Sequence, residues 1–292
     1  MFHIITNELL TCSIIEKGAE IRSLKNNKTG QEYIWQIDPD VWRSSSPPLF
    51  PAIGTIKGDK IIYKDKEYPM PKHGIARDND AFEFKQLSAS SCSYTLTHSE
   101  ATHHLYPFKF SFTITYTLEN NRLLMSYNVV NLDSEPMYFT CGGHTAYACP
   151  VTATKALSDY VIEFPEVQER SSHTLNNQGL LTSTMRKVET NGALLPLSKT
   201  IFNDDALIFS EIDYSWVRLR ESAKTKGLVI RFTGYPHLAL WAQPGADYVC
   251  IEPWLGLPDA ENESLDITKK STYTKLVPQE QFSITIETEV EE

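Results

Sequence analysis

No stretch of this chain approaches the roughly 20 consecutive apolar residues that a membrane-spanning helix needs. The opening MFHIITNELLTCSIIEKGAE reaches Glu8 before any long apolar run and has no basic segment ahead of one, so a secretory leader is not expected. Cysteine is sparse. Cys12, Cys92, Cys141, Cys149 and Cys250 form an odd, scattered set, which fits free thiols in a reducing compartment better than a disulfide framework, and a cytoplasmic location is expected. Positive charge is also short: 27 Lys and Arg face 37 Asp and Glu, a net charge of -10. That balance excludes the basic surface that nucleic acid requires and disfavours an anionic membrane. Neither a glycine-rich phosphate loop nor a dinucleotide fingerprint is present, so no cofactor is expected. Helical periodicity is weak everywhere, and SDYVIEFPEV is interrupted by Pro165. A neutral or polar small molecule is the partner these absences leave.

What is present is alternation. Phe108, Phe110, Phe112, Ile114, Tyr116 and Leu118 fall on one face of FKFSFTITYTL, Asn120-Asn121 marks a turn, and RLLMSYNVVN returns as an antiparallel partner. The same period of two appears in WVRLR (Val217, Leu219), in GLVIRF (Leu228, Ile230, Phe232) and in FSITIETEV (Phe282, Ile284, Ile286). Short strands separated by Gly, Asn, Asp and Pro turns describe an all-β sandwich or barrel. At 292 residues the chain can bury a large core without disulfides or metals. It shows no linker, repeat or low-complexity tract, so a single domain over 1–292 is the simplest organisation. The polar, turn-rich stretch from about Ser171 to Leu197 reads as a long excursion.

Three segments interrupt the strand pattern with polar groups beside small residues and prolines. PMPKHGIARDNDAF is centred on His73 and Arg77, CGGHTAYACP on His144, and in VCIEPWLGLPDAEN Glu252 ends an apolar run and is followed by Pro253 and Trp254. Singly, each has an ordinary structural explanation: a core or surface histidine, a carboxylate at a strand end, a surface pair of Arg77 with Asp78 or Asp80, core tryptophans at 241 and 254. Cys141, His144 and Cys149 have the spacing of part of a zinc site, but a structural site wants four ligands and a second close pair, and no such pair is present. A Cys141–His144 nucleophile pair is disfavoured because a strand would point the two to opposite faces. No metal is expected.

Together the segments suit acid-base chemistry on a sugar. Sugar rings have apolar faces that stack on aromatics, and hydroxyls that need polar partners. Opening a cyclic hemiacetal needs a base for the C1 hydroxyl proton and an acid for the ring oxygen, tasks that a carboxylate and a histidine can divide at neutral pH.

The order SPPLFPAIG (46–54), HGIARD (73–78), GGHTAYACP (142–150) and IEPWLGLPD (251–259) resembles the aldose 1-epimerase, or galactose mutarotase, family over nearly the whole chain. The resemblance implies a large antiparallel β-sandwich with an open sugar cleft and no cofactor. It also implies roles: Glu252 as the base at the C1 hydroxyl, His144 as the acid at the ring oxygen, and His73 as a second histidine holding the sugar. Asp205 corresponds to an aspartate that binds sugar hydroxyls, with the adjacent Asp204 equally in register, and Trp254 is a further candidate contact. Gly142 and Gly143 would then let a sugar ring approach the backbone while His144 projects into the cleft. One departure stands out. Where the family usually carries a substrate-contacting arginine, this chain reads IGTIKGDK, with Thr55 at the arginine position and Lys57 two residues on. Lysine does not reproduce arginine's planar fork, and Arg77 is the alternative cation. The expected activity is interconversion of α and β anomers of a free aldose. The alternatives are a hexose 6-phosphate substrate held by Lys57, Lys72, Arg43 and Arg77, or a sugar-binding protein without catalysis. A hydrolase is disfavoured because it would want a second carboxylate.

Overall fold

Strands with one apolar face must pack that face against another layer, and the alternation above produces two large sheets that do so. The computed structural model describes residues 1–152 and 154–291. It is 47% strand and 6% helix, with large antiparallel sheets and no barrel, so the all-β sandwich holds and the barrel does not. The nine-stranded sheet runs, in spatial order, Leu194–Pro196, Tyr160–Glu163, Trp216–Glu221, Leu228–Arg231, Gln281–Val290, Arg122–Asn131, Phe110–Glu119, Ser91–Thr97 and Glu83–Ser88. Its central hairpin pairs Leu118 with Leu123 and Glu119 with Arg122. Asn120 makes the turn with φ +53, a left-handed conformation that Asn tolerates better than most residues.

The six-stranded sheet runs Thr145–Ala148, Tyr248–Trp254, His237–Trp241, Leu207–Ser210, Arg170–Leu175 and Leu181–Val188. Its two faces differ. Leu238, Leu240, Val249 and Ile251 join the main core with Phe112, Met125, Tyr127 and Ile286 of the larger sheet. Ile208, Ala239 and Trp254 face the other way, into a small separate cluster with Leu49, Ile53 and Leu181. That second face carries the candidate active site. A strand covered on both faces reads as a continuous apolar run rather than an alternation, and all seven residues of Tyr248–Trp254 are buried.

The stretch read as an excursion is structured. Arg170–Leu175 and Leu181–Val188 form the edge hairpin of the six-stranded sheet, and Leu194–Pro196 forms an edge of the nine-stranded one. Much of Leu181–Val188 is exposed, so its pattern lacks the apolar signal of an interior strand. Among the described residues no helix is long and apolar enough to cross a membrane.

Candidate active site

The four motif segments, far apart in sequence, are joined by backbone hydrogen bonds. Leu49 and Gly142 exchange N–H···O bonds of 3.0 and 3.1 Å, and the N–H of Ile75 donates to the carbonyl of Phe50 at 2.7 Å. Gly143 donates to the carbonyl of Pro253 at 3.2 Å, and Leu255 donates to that of Cys141 at 2.9 Å. The SPPLFPAIG segment thus binds both histidine-bearing loops, and the His144 loop binds the strand of Glu252. The loop before it is fixed by buried Glu20. Its carboxylate accepts from the backbone N–H groups of Ser45 and Ser46 and pairs with Arg22 at 2.9 Å. Ser46 Oγ then meets Thr145 Oγ1 at 2.7 Å.

These contacts correct the reading of the two glycines. A Cβ on Gly142 would lie 2.6 Å from the Pro253 carbonyl oxygen and 2.8 Å from Trp254 Cδ1, and one on Gly143 would lie 2.7 Å from Ile286 Cδ1. The space beside them is filled by protein. Gly142 lets two backbones approach so that His144 and Glu252 meet, and Gly143 lets the loop close over the core; neither clears room for a sugar ring.

Glu252, His144 and His73 converge. His144 Nε2 lies 3.4 Å from Glu252 Oε2, and the two imidazole centroids are 5.5 Å apart. All three residues are buried, at 1%, 7% and 5% exposure respectively. His73 has φ +68, a strained backbone for a non-glycine residue. Its Nδ1 accepts the N–H of Gly54 at 3.1 Å, so the ring proton sits on Nε2 and that nitrogen is a donor. His144 Nδ1 and Glu252 Oε2 are buried without hydrogen-bond partners, a costly state that a bound polar group would relieve.

The ring of His144 is held by two tryptophans. Trp42 stacks on it at 5.1 Å and 27°, and Trp241 meets it edge-on at 5.7 Å and 85°. Trp42 stands in a loop, PDVWRSSS, with no strand pattern, so an aromatic flanked by turn residues is the only signal the sequence offers for it. We expect Trp42→Ala to lower kcat by up to about 100-fold through misplacement of the imidazole, with KM changing far less and Trp42→Phe restoring most of the rate. Steady-state kinetics on the three proteins checks this; an unchanged kcat in Trp42→Ala would remove Trp42 from the positioning role.

Burial sets the protonation states. It pushes Glu252 well above the carboxylate range, against Lys72, and Asp205 raises it further, while the Trp254 indole and Arg77 pull it back. The indole N–H faces the carboxylate without completing a hydrogen bond. Burial, with Arg77 next, lowers His144 to about 3, and burial, with the neighbouring His144, lowers His73 well below its ordinary value. A buried ion pair is disfavoured in the same way, so burial favours the uncharged forms of both groups.

A stability consequence follows with a definite sign. Below the ordinary histidine value of 6.5 the unfolded chain takes up protons that folded His144 refuses until about 3. Stability is therefore lost as pH falls through that window, by up to about 1.4 kcal/mol per pH unit for each such histidine. The raised Glu252 pulls the other way over the same range, so the variant isolates the histidine: the change in urea midpoint from pH 7 to pH 5 should be displaced toward greater stability at pH 5 in His144→Asn relative to wild type. An identical difference in the variant would contradict the buried-neutral assignment.

The other candidates divide. Arg77, 30% exposed, and the exposed Lys72 act on Glu252, His144 and His73 together, which places both beside the site. Asp205 acts on Glu252, whereas Asp204 is 87% exposed and paired with Arg186 at 3.3 Å. Trp254 is buried in the small apolar cluster, where its indole N–H rather than its ring face addresses the site. Lys57 points elsewhere: its ammonium donates to the carbonyl of Glu263 at 3.3 Å, in a groove of about 370 Å³ shared with Thr55, Asn176 and Glu261. Arg43 is exposed and donates to the Pro39 carbonyl at 3.3 Å. The four cations weighed for a phosphate are thus split, two at the site and two committed to backbone carbonyls. Cys141 and Cys149 are buried in the main core.

Known proteins resemble this chain along nearly its whole length. The family model for aldose 1-epimerase matches residues 1–258. Protein LacX of Lactococcus lactis subsp. lactis, the plasmid-borne form, is 30% identical over 283 residues, covering 94% of each chain. A galactose mutarotase related enzyme from Lactobacillus acidophilus superposes with a TM-score of 0.93 at 32% identity, covering 100% of this chain and 98% of the other. A galactose mutarotase-like protein from Lactobacillus casei gives 0.92 at 26% identity, with 100% of both chains covered.

Proposed function

Since the chain belongs to the aldose 1-epimerase family, we propose that it interconverts the α and β anomers of a free aldose by acid-base opening and reclosure of the ring. The observation that carries this reading is the buried Glu252–His144 pair, 3.4 Å apart with polar atoms left unpartnered. A sugar that hydrogen-bonds to both groups favours their charged forms, so the proton passes from Glu252 to His144 on binding. Lys72 and Arg77 favour the carboxylate and oppose the imidazolium, so the sugar's own hydrogen bonds drive the transfer. Carboxylate Glu252 then removes the proton of the C1 hydroxyl. The C1–ring oxygen bond breaks as a carbonyl forms at C1, and imidazolium His144 protonates the departing ring oxygen. His73, with its Nε2–H, steadies that oxygen as charge develops. Rotation about C1–C2 exposes the other face of the aldehyde, and the same two groups run the steps in reverse.

A free rather than phosphorylated sugar is favoured by the net charge of -10 and by the commitment of Lys57 and Arg43 elsewhere. Polarimetry over a panel of free hexoses and their 6-phosphates tests the choice. If Arg77 contacts a hydroxyl or the ring oxygen, Arg77→Ala should weaken kcat/KM for both classes alike. A preference for a 6-phosphate that Arg77→Ala abolishes would overturn the substrate class and leave the ring-opening chemistry standing.

A further inference from the structure

The strand that delivers Glu252 also delivers Cys250, two residues earlier and therefore on the same face. Its thiol is fully buried. His144, Cys250 and Glu252 present one ligand atom each, all within 4.8 Å of one another. The Cys141–His144–Cys149 spacing thus gives way to a different trio with the same histidine.

We propose that this trio is a binding site for a zinc-class divalent cation, and that the cation, when bound, blocks the acid-base pair. Donors on a tetrahedral zinc, at bond lengths of about 2.0–2.3 Å, are separated by roughly 3.5 Å, and His144 Nε2 and Glu252 Oε2 already stand 3.4 Å apart. One nitrogen, one sulfur and one oxygen match the ligand preferences of a borderline-soft cation, and three protein ligands leave a fourth position open. A dication with one thiolate, one carboxylate and a neutral imidazole sums to zero charge, which suits a buried site. Binding occupies the Glu252 oxygen that has no partner and releases the thiol and carboxyl protons to solvent. Lys72 and Arg77 act on the same groups and oppose the cation, so the site should select a tightly coordinating metal over magnesium or calcium, which want oxygen ligands.

The blocking effect rests on the anomer-exchange reading; metal binding does not. Chelator-treated protein is titrated with Co²⁺, and absorption is followed for a thiolate-to-cobalt charge-transfer band and for tetrahedral d–d bands. Both are expected, with Zn²⁺ displacing Co²⁺ and bleaching them. Cys250→Ser should abolish the charge-transfer band and weaken binding by more than the 10- to 100-fold typical of losing an outer-shell partner; Cys250→Ala is the second variant if the first does not fold, and Cys141→Ser should leave the band intact. Absence of the band in the wild type, or its survival in both Cys250 variants, would overturn the site. In a parallel arm Zn²⁺ should inhibit anomer exchange with a constant matching its binding and rising with sugar concentration. Metal binding without effect on a working enzyme would overturn the blocking, while a metal-free wild type that never exchanges anomers would refute the function and leave the cobalt result to decide the site.

Discussion

Glu252→Gln and His144→Asn are each expected to lower kcat by on the order of 10²–10⁴ while sugar binding persists. Gln keeps the shape and one acceptor oxygen of the side chain but cannot take the C1 hydroxyl proton. His144→Asn removes the group proposed to protonate the ring oxygen. The glutamine variant should also be more stable than the wild type at neutral pH. Burial raises the folded-state pKa of Glu252, so its favourable contribution is complete only below the unfolded value and is lost as pH rises through the folded one. Removing the ionisable group removes that loss. Lower activity with a raised melting temperature would be the signature of a group kept for chemistry at the expense of stability. Near-wild-type turnover in both variants would show that neither side chain moves a proton in the reaction.

Gly142→Ala should damage stability and rate together. The added methyl meets the Pro253 carbonyl oxygen at 2.6 Å, a backbone atom that can move only with its strand. Overpacking of this kind costs about 1–3 kcal/mol, and relief by displacing Pro253 shifts the adjacent Glu252 from His144. Gly143→Ala is the comparison. Its nearest obstacle is Ile286 Cδ1 at 2.7 Å, the end of a side chain that can change rotamer, so the cost should be smaller and the rate closer to wild type. Thermal melts and kcat for the two variants check the contrast. The reverse order, with Gly142→Ala fully active and Gly143→Ala crippled, would mean that close approach of the two backbones is not what sets the acid-base pair.

The legible parts of the fold are those where one sheet face is buried and the other wet. Phe110–Glu119 and Arg122–Asn131 alternate buried and half-buried residues along nearly their whole length, and both strands and their turn can be read from the order of residues alone. Tyr248–Trp254 is buried on both faces, so it shows only as an apolar run, and Glu252 stands out because a carboxylate inside such a run is costly. The edge hairpin of Arg170–Val188 offers neither signal. At the candidate site, Glu252 is legible as a carboxylate ending an apolar run, and His144 and His73 as polar groups beside small residues and prolines that break the strand pattern. Their proximity is not, since it depends on the Thr145–Ile251 register and on the bridge between Leu49 and Gly142. Trp42 and Cys250 lie 102 and 106 residues from His144 in sequence. Cys250 carried a usable clue in its offset of two from Glu252. The direction taken by Lys57 carried none, because a hydrogen bond to the Glu263 carbonyl depends on how two loops meet.

The most direct measurement is two-dimensional exchange NMR on an equilibrium mixture of a free aldose with catalytic amounts of the chelator-treated protein. Cross-peaks between the α and β anomeric protons should grow far faster than in buffer, and Glu252→Gln should return them to the buffer rate. If wild-type protein broadens the sugar resonances, showing that it binds, yet every free and phosphorylated hexose tested exchanges at the buffer rate, then this chain is a sugar-binding protein and Glu252 and His144 are not its acid-base pair.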